Sequence, residues 1–170
     1  MEPVLYYKPS QLKEMTANRN QEFAALFRRL KKKKPAKLDQ VVHALHAEAF
    51  DRFDCLSCAN CCSSISPIIK DKDAERLAKS QKMKTSDFID RYLYLDEDHD
   101  FVFKQTPCPF LMADHYCCVY QDRPRACREY PHTDRSRFYQ ILPLTLKNCG
   151  VCPVVYAITE ELCRTEKMKD

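Results

Sequence analysis

The stretch Cys55-Leu56-Ser57-Cys58-Ala59-Asn60-Cys61-Cys62 places four thiols within eight residues. This C-x2-C-x2-C-C run is more specific than a single C-x2-C pair, because three thiols at equal intervals can wrap one centre while a fourth stands beside them. We read it as a metal or iron–sulfur site. Seven further cysteines follow, at Cys108, Cys117, Cys118, Cys127, Cys149, Cys152 and Cys163, making eleven, an odd number that complete internal pairing cannot use up. The opening residues MEPVLYYKPSQLKEM lack the basic start, apolar core and small-residue cleavage site of an export signal. A cytoplasmic chain is therefore expected, and in a reducing compartment clustered cysteines serve as ligands or catalysts more often than as disulfides. Burial as inert core thiols accounts for one or two of them, but not for four in a single eight-residue run.

With 170 residues the chain is long enough to bury a real core, as one domain or one domain with an appended helical segment. No apolar run approaches the ~20 residues that a membrane span requires, so no membrane contact is expected. Gly150 is the sole glycine. A phosphate-cradling P-loop and a G-x-G-x-x-G dinucleotide loop are both absent, which argues against nucleotide-fold kinases, GTPases, NAD-dependent dehydrogenases and methyltransferases with a glycine-rich cofactor loop. Scarce glycine also favours helices. The net charge of +4 is mild, and its most visible source is Lys31 to Lys34 before Pro35. Lysines are favoured at a helix C-terminus, where the macrodipole is negative, so these read as a solvated helix end and nucleic acid is not expected as a partner.

Apolar residues recur at helical spacing from Ser10 to about Lys33 (Leu12, Met15, Phe23, Leu26, Phe27, Leu30), predicting one long amphipathic helix capped by Ser10. Leu38, Val41, Val42, Leu45, Ala49 and Phe50 predict a second, running up to the cysteine run. Helices are also expected over Asp71 to Ser80, from a Thr85 or Ser86 cap through Leu93, after Pro124, and from Pro153 to Lys167. Phe101 to Phe103 reads as a strand, with a return strand at His115 to Tyr120 closing a hairpin over the loop PCPFLMAD. The expected fold class is α+β and predominantly helical: an N-terminal helical segment (1–52), a small cysteine-rich metal-binding domain with a short β-hairpin (53–155), and a C-terminal helix packing on that domain (156–170).

Three cysteine groups are thereby presented beside turn-forming residues: the Cys55, Cys58, Cys61 and Cys62 run, the Cys108/Cys118/Cys127 set, and the Cys149/Cys152 pair. Short loops suit ligands because they let sulfurs converge at bond length, whereas a regular strand sends alternate side chains to opposite faces. These nine cysteines form the expected ligand set. CLSCANCC, CPFL at 108–111 and CVYQDRPRACREYP at 118–131 together resemble the YkgJ-type cysteine-cluster family, a CxxCxxCC domain associated with zinc or iron chelation. The resemblance covers about half the chain. It implies metal chelation without a settled reaction, and a similar arrangement is associated with flagellin lysine methylases. Cys55, Cys58, Cys61, Cys62, Cys108, Cys118 and Cys127 match the family's cysteines; Cys149 and Cys152 match only loosely, and Cys117 and Cys163 fall outside the pattern.

The expected cofactor is an iron–sulfur cluster or Zn2+. Zinc knuckles often carry glycine after each ligand pair, and none follows here, whereas C-x2-C-x2-C resembles the three-cysteine arc around an iron–sulfur cubane, so the spacing leans toward iron–sulfur. Four thiolates around either centre leave about two negative charges to offset, and Arg123, Arg125 and Arg128 are at hand. Either His115 or His132 could complete a Cys3His site, but with enough cysteines present both read first as surface or hydrogen-bonded side chains, and His43 and His46 are expected to be exposed. Tyr116, Tyr120, Tyr130 and Phe138 are expected to form an apolar shell around the sulfurs. The functional readings are a metal-binding protein with no assigned reaction, a cluster-dependent oxidoreductase or protein-modifying enzyme, and a zinc-organised adaptor for protein or RNA. The expected partner is the metal ion or cluster, with a protein partner left open.

Overall fold

The computed structural model describes residues 7–167, with side chains through residue 165. Residues 1–6 and 168–170, which belong to the expected N-terminal segment and C-terminal helix, lie outside the described residues. In chain order the elements are α1 (Leu12–Asn18), α2 (Asn20–Lys33), α3 (Leu38–Arg52), α4 (Cys55–Cys58), α5 (Asn60–Ser64), α6 (Asp71–Ser80), α7 (Thr85–Tyr92), β1 (Leu93–Leu95), β2 (Phe101–Phe103), α8 (Arg125–Glu129), α9 (Leu142–Cys149) and α10 (Pro153–Lys167). Helix predominates and the one sheet is a two-stranded antiparallel hairpin, as the α+β expectation requires. The chain divides into two compact units, Met1–Asp54 with Pro131–Asp170, and Cys55–Tyr130.

The first unit is a helical core. Helix α2 buries Phe23, Leu26, Phe27 and Leu30, the 3–4 spacing of one helical face. Helix α3 buries Leu38, Val42 and Ala49, and α10 contributes Val154, Val155, Tyr156, Ile158 and Leu162. The Tyr156 ring meets Phe23 edge-on at 5.4 Å. Each fully buried side chain of this size stabilises by about 1.5–3 kcal/mol relative to exposure.

The expected continuous helix from Ser10 to Lys33 is broken. Ser10 lies in a 3-10 turn, Pro9–Gln11, and α1 and α2 are separated at Arg19, whose backbone leaves the helical basin with φ −110° and ψ 10°. Asn18 and Asn20 flank the break, and asparagine competes for backbone hydrogen bonds in a way that disfavours helix interiors. Arg19 donates to Glu22 at 2.8 Å and also bonds Glu160 of α10. At the far end of α2, Lys34 turns left-handed (φ 43°) and its N–H donates to the Leu30 carbonyl at 2.8 Å. This closes the helix with Lys31 to Lys33 in the exposed last turn, the expected helix end.

One face of α3 fastens the 133–138 segment. The Asp39 carboxylate accepts the N–H groups of Arg137 (2.6 Å) and Phe138 (2.9 Å), His43 Nε2 donates to the Arg135 carbonyl (3.0 Å), and His46 Nδ1 bonds the Thr133 hydroxyl (2.7 Å). His43 and His46 are therefore half-buried, not exposed as the sequence suggested. Burial lowers the His46 pKa. No single helix among the described residues is long and apolar enough to cross a membrane; Phe138–Cys149 and Pro153–Thr165 meet that test only jointly, across a 118° bend.

The second unit is organised around β2. Leu93, Tyr94 and Leu95 pair with Phe103, Val102 and Phe101, and Ile69 bridges to Phe101 on the other side, its N–H donating to the Phe101 carbonyl at 2.8 Å. The partner of Phe101–Phe103 is thus the preceding Leu93–Leu95, not the expected return strand at His115 to Tyr120. That region instead makes one isolated bridge, Leu111 to Cys117, followed by a 3-10 turn, Tyr120–Asp122. A five-residue turn needs little chain closure, and Asp96 Oδ1 accepts the Asp98 and Asp100 N–H groups within it. Helix α7 begins at Thr85 with Lys84 before it and no side-chain cap.

Candidate metal centre

The cysteine run is two single helical turns. An unbroken helix would string Cys55 to Cys62 over roughly 10 Å of axis, too far for sulfurs meant for one centre. Ala59, between α4 and α5, is left-handed (φ 46°, ψ 16°) and buried, which ends the first turn and starts the second in a new direction. For a residue with a Cβ this conformation costs about 1–2 kcal/mol. Its N–H donates to the Cys55 carbonyl at 3.0 Å, and its carbonyl accepts from the Ser63 N–H and hydroxyl, both at 3.0 Å, so both turns are tied to this one residue.

The downstream cysteines are tied in through backbone. Cys108 N–H donates to the Cys62 carbonyl at 2.8 Å, and Cys118 N–H to the Phe110 carbonyl at 2.9 Å. Beneath them lies a core that includes Ile69, Leu77, Phe88, Leu93, Phe103 and Phe110, with Cys108 and Cys117 packed against it. Phe110 is its centre: its ring lies 5.2 Å from Tyr92, 5.6 Å from Phe103 and 6.1 Å from Phe88. This is the apolar wall of the site. Of the aromatics expected there, Tyr116 is exposed and Phe138 is buried in the other unit. Tyr120 instead serves Arg123, whose guanidinium lies 3.5 Å above its ring centroid while Arg123 Nε donates to the Tyr120 carbonyl at 2.8 Å.

The segment carrying Arg123 and Cys127 is held by α6. Asp73, 3% exposed, accepts from Arg76 Nη2 (2.6 Å) and from the Arg125 N–H at the start of α8 (3.1 Å). Arg76 also donates to the carbonyls of Asp122 (3.2 Å) and Arg123 (2.8 Å). The buried carboxylate thus fixes both the counter-cation and the helix bearing Cys127. Arg125 points elsewhere, to Glu129.

The thiols influence one another strongly. Cys62 is pulled down to about 7, first by its hydrogen bond with Cys61, whose sulfur is 4.0 Å away, and then, against burial, by Arg123. Burial pushes Cys108 up to about 11, with Cys62, Cys117 and Cys118 adding to it. Burial likewise pushes Cys127 up to about 12, reinforced by Cys62, Cys108 and Cys117. Cys58 and Cys117 are raised by burial too. Cys55 and Cys118 are exposed.

Seven of the nine expected ligands therefore fall in this one unit. Cys149 and Cys152 belong to the other unit as buried core residues, the former at the end of α9 with its sulfur 3.3 Å from the Thr159 hydroxyl. His132 is also in that unit, and His115 is on an exposed turn. Cys117, outside the sequence pattern, joins the group. No disulfide links any described cysteine. As the side chains stand, no three His, Cys, Asp or Glu among the described residues are arranged to hold a metal ion. The donor chemistry nevertheless suits one: an all-sulfur set in which Cys62 is drawn toward its thiolate while burial holds Cys108 and Cys127 protonated is the kind that a thiophilic cation relieves by compensating thiolate charge.

A small α+β unit that gathers thiols beside one fixed arginine defines a cysteine-rich metal-binding class. The chain belongs to the CxxCxxCC family, described as "Putative zinc- or iron-chelating domain", whose model matches residues 54–153. That span contains the whole of the second unit and runs on past Tyr130 through α9 to the first residue of α10. No curated protein and no solved structure matched the chain.

Proposed function

We propose that the chain holds an iron–sulfur cluster, with Zn2+ as the alternative occupant, through thiolates of the Cys55–Cys62 run and the downstream cysteines of the same unit. The observation that carries this reading is that Cys62, Cys108, Cys117 and Cys127 come near enough to act on one another's charge, with Arg123 acting on Cys62, Cys117 and Cys127. Buried thiolates are unfavourable as neighbours unless a cation compensates them. Family membership supports zinc or iron as that cation, and the C-x2-C-x2-C spacing favours the cluster. The centre would supply redox chemistry as a cluster, or structural cross-linking as zinc.

The chain's own residues would do the rest. Phe110 and the aromatic rings around it exclude water from one side, which strengthens each charge interaction at the site. Arg123, pinned by Tyr120 and Arg76, offsets thiolate charge without moving. Cys149 and Cys152 act as core thiols of the helical unit. The reading places the chain in a reducing compartment.

Anaerobic purification tests it. A brown protein with broad visible absorption, iron and acid-labile sulfide supports the cluster, and a colourless one with stoichiometric zinc supports the alternative occupant. Protein that carries neither metal, and takes up neither when reconstituted, refutes the proposal.

A further inference from the structure

We infer that the chain self-associates through the outer edge of β1, which pairs antiparallel with β1 of a second copy about a two-fold axis at Tyr94. The sheet order is β1-β2 and the bridge from Ile69 lies beyond β2, so among the described residues no strand or bridge covers the other edge of β1. Lys104 N–H donates to the Tyr92 carbonyl at 2.8 Å and Asp96 N–H to the Asp100 carbonyl at 3.0 Å, in the register that pairs Tyr94 with Val102. Hydrogen-bonded pairs alternate along an antiparallel ladder, so Tyr94 directs its backbone groups at β2, while Leu93 and Leu95 direct theirs outward. The Leu93 N–H is taken by the Ile89 carbonyl of α7. The outward set is therefore the Leu95 N–H and the carbonyls of Leu93 and Leu95. Beside it, Tyr94 and Leu95 are 49% and 53% exposed, and Leu95 is the most exposed large apolar side chain among the described residues. An open apolar edge of this kind is a template for another strand.

The side chains select a second copy as that strand and fix its register. With the Leu93 N–H committed, Leu95 must donate, to the other copy's Leu93 or to its Leu95. The first choice sets the two Tyr94 rings opposite each other as a cross-strand pair and lays each Leu95 beside the other copy's Leu93, at the margin of the core to which Leu93 belongs. The second sets Tyr94 against the Asp96 carboxylate. Charge favours the first as well. Arg91, before β1, lies over its neighbour Tyr92 with its guanidinium 5.3 Å from the ring centroid, and Glu97 and Asp98 follow β1 in an exposed turn. None of the three is in a salt bridge within the described residues. Antiparallel pairing brings the cation at the start of one β1 to the acids after the other, twice per dimer. The edge is thus self-complementary, as a two-fold contact requires.

Sedimentation velocity tests this on the anaerobically purified full chain over a range of concentrations, with a thiol reductant present to exclude intermolecular disulfides. The natural chain is run beside Leu95→Lys, Arg91→Glu, Glu97→Arg and the double variant Arg91→Glu/Glu97→Arg. The expected result is a concentration-dependent dimer that Leu95→Lys abolishes and that each single charge reversal weakens by about tenfold, since two contacts change sign at once. The double variant should regain the natural affinity to within about threefold, because it restores both pairs with their signs exchanged. A natural chain that stays monomeric at every concentration, a dimer that survives Leu95→Lys, or a double variant no tighter than the singles overturns the inference. Should Leu95→Lys not fold, the charge series decides, since it alters only exposed side chains. The contact uses no cysteine, so its failure leaves the metal reading untouched.

Discussion

Replacing Asp73 should loosen the cysteine unit from a point that carries no sulfur. The carboxylate is buried and accepts three hydrogen bonds: Arg76 Nη2 at 2.6 Å, Arg125 N–H at 3.1 Å and, more weakly, Lys70 N–H at 3.3 Å. Asp73→Ala removes all three. A charge-assisted bond contributes about 1.5–3 kcal/mol, and the Arg76 pair belongs at the lower end because its guanidinium keeps the Asp122 and Arg123 carbonyls. The Arg125 N–H left without its acceptor adds about 1 kcal/mol, and the long Lys70 bond about 0.5 kcal/mol. The total is about 3 kcal/mol, which corresponds to a fall of about 1.5 M in the urea midpoint for a slope near 2 kcal/mol/M. Asp73→Asn keeps one carbonyl acceptor and loses the ion pair, so it should cost about 1–2 kcal/mol. Tyrosine fluorescence follows the unfolding, as the chain has no tryptophan. Bound metal should fall in the same order, because the Arg123 and Cys127 segment is what Asp73 fixes. Both variants lying within about 0.5 kcal/mol of the natural chain, with metal content unchanged, would refute the reasoning.

Three further outcomes follow from the same geometry. Phe110→Ala empties the centre of the aromatic wall and should cost about 3–5 kcal/mol; urea unfolding checks it, and a loss below about 1 kcal/mol would show that the wall is not close-packed. Arg123→Gln should raise the Cys62 pKa, slowing iodoacetamide alkylation of Cys62 at pH 7 in the chelator-stripped chain, while Arg123→Lys retains much of the rate; equal rates in all three contradict the assignment of Arg123 as counter-cation. In the metal-free chain, Cys108, Cys127 and Cys149 keep their protons up to about 11, 12 and 12, against 9.0 for an unperturbed thiol. Their stabilising contribution is full below pH 9 and is lost as pH rises, by at most about 1.4 kcal/mol per pH unit for each thiol. Cys62 has the opposite sign: its contribution is full above pH 9 and is lost as pH falls through about 7. Urea midpoints from pH 8 to 10.5 should therefore decline less steeply in Cys149→Ser than in the natural chain, and identical slopes would contradict the burial of that thiol.

Much of the fold was legible where one helical face is apolar over two turns or more. Helices α3, α6 and α10 follow directly from such stripes. The break at Arg19 was hidden because the apolar periodicity continues through Asn18 and Asn20, and only side-chain competition at those asparagines interrupts the backbone. The hairpin was half legible: Phe101 to Phe103 read as a strand, but Leu93 to Leu95 follows a helix without a break, and Leu93 read as that helix's last residue. Local pattern cannot choose between a preceding and a following partner strand.

The candidate site divides the same way. Thiol density located it, yet the aromatic wall comes from Phe88, Tyr92, Phe103 and Phe110, which meet only through tertiary packing. The inward turn of Cys117 depends on its pairing with Leu111, a contact with no signature in the sequence. Asp73 and Arg76 read as an ordinary charged helix face, although an i, i+3 acid–base pair in which the acid is buried is the mark of a bracing contact. Only the spacing of Asp73 and Arg76 was visible beforehand.

The most direct test of the account is the metal content per chain of anaerobically purified natural protein beside Cys58→Ser and Cys62→Ser. The account predicts stoichiometric iron or zinc in the natural chain and a marked loss in both variants, with a lower urea midpoint, since ligation contributes to folding free energy. Full metal content and an unchanged midpoint in both variants would contradict it.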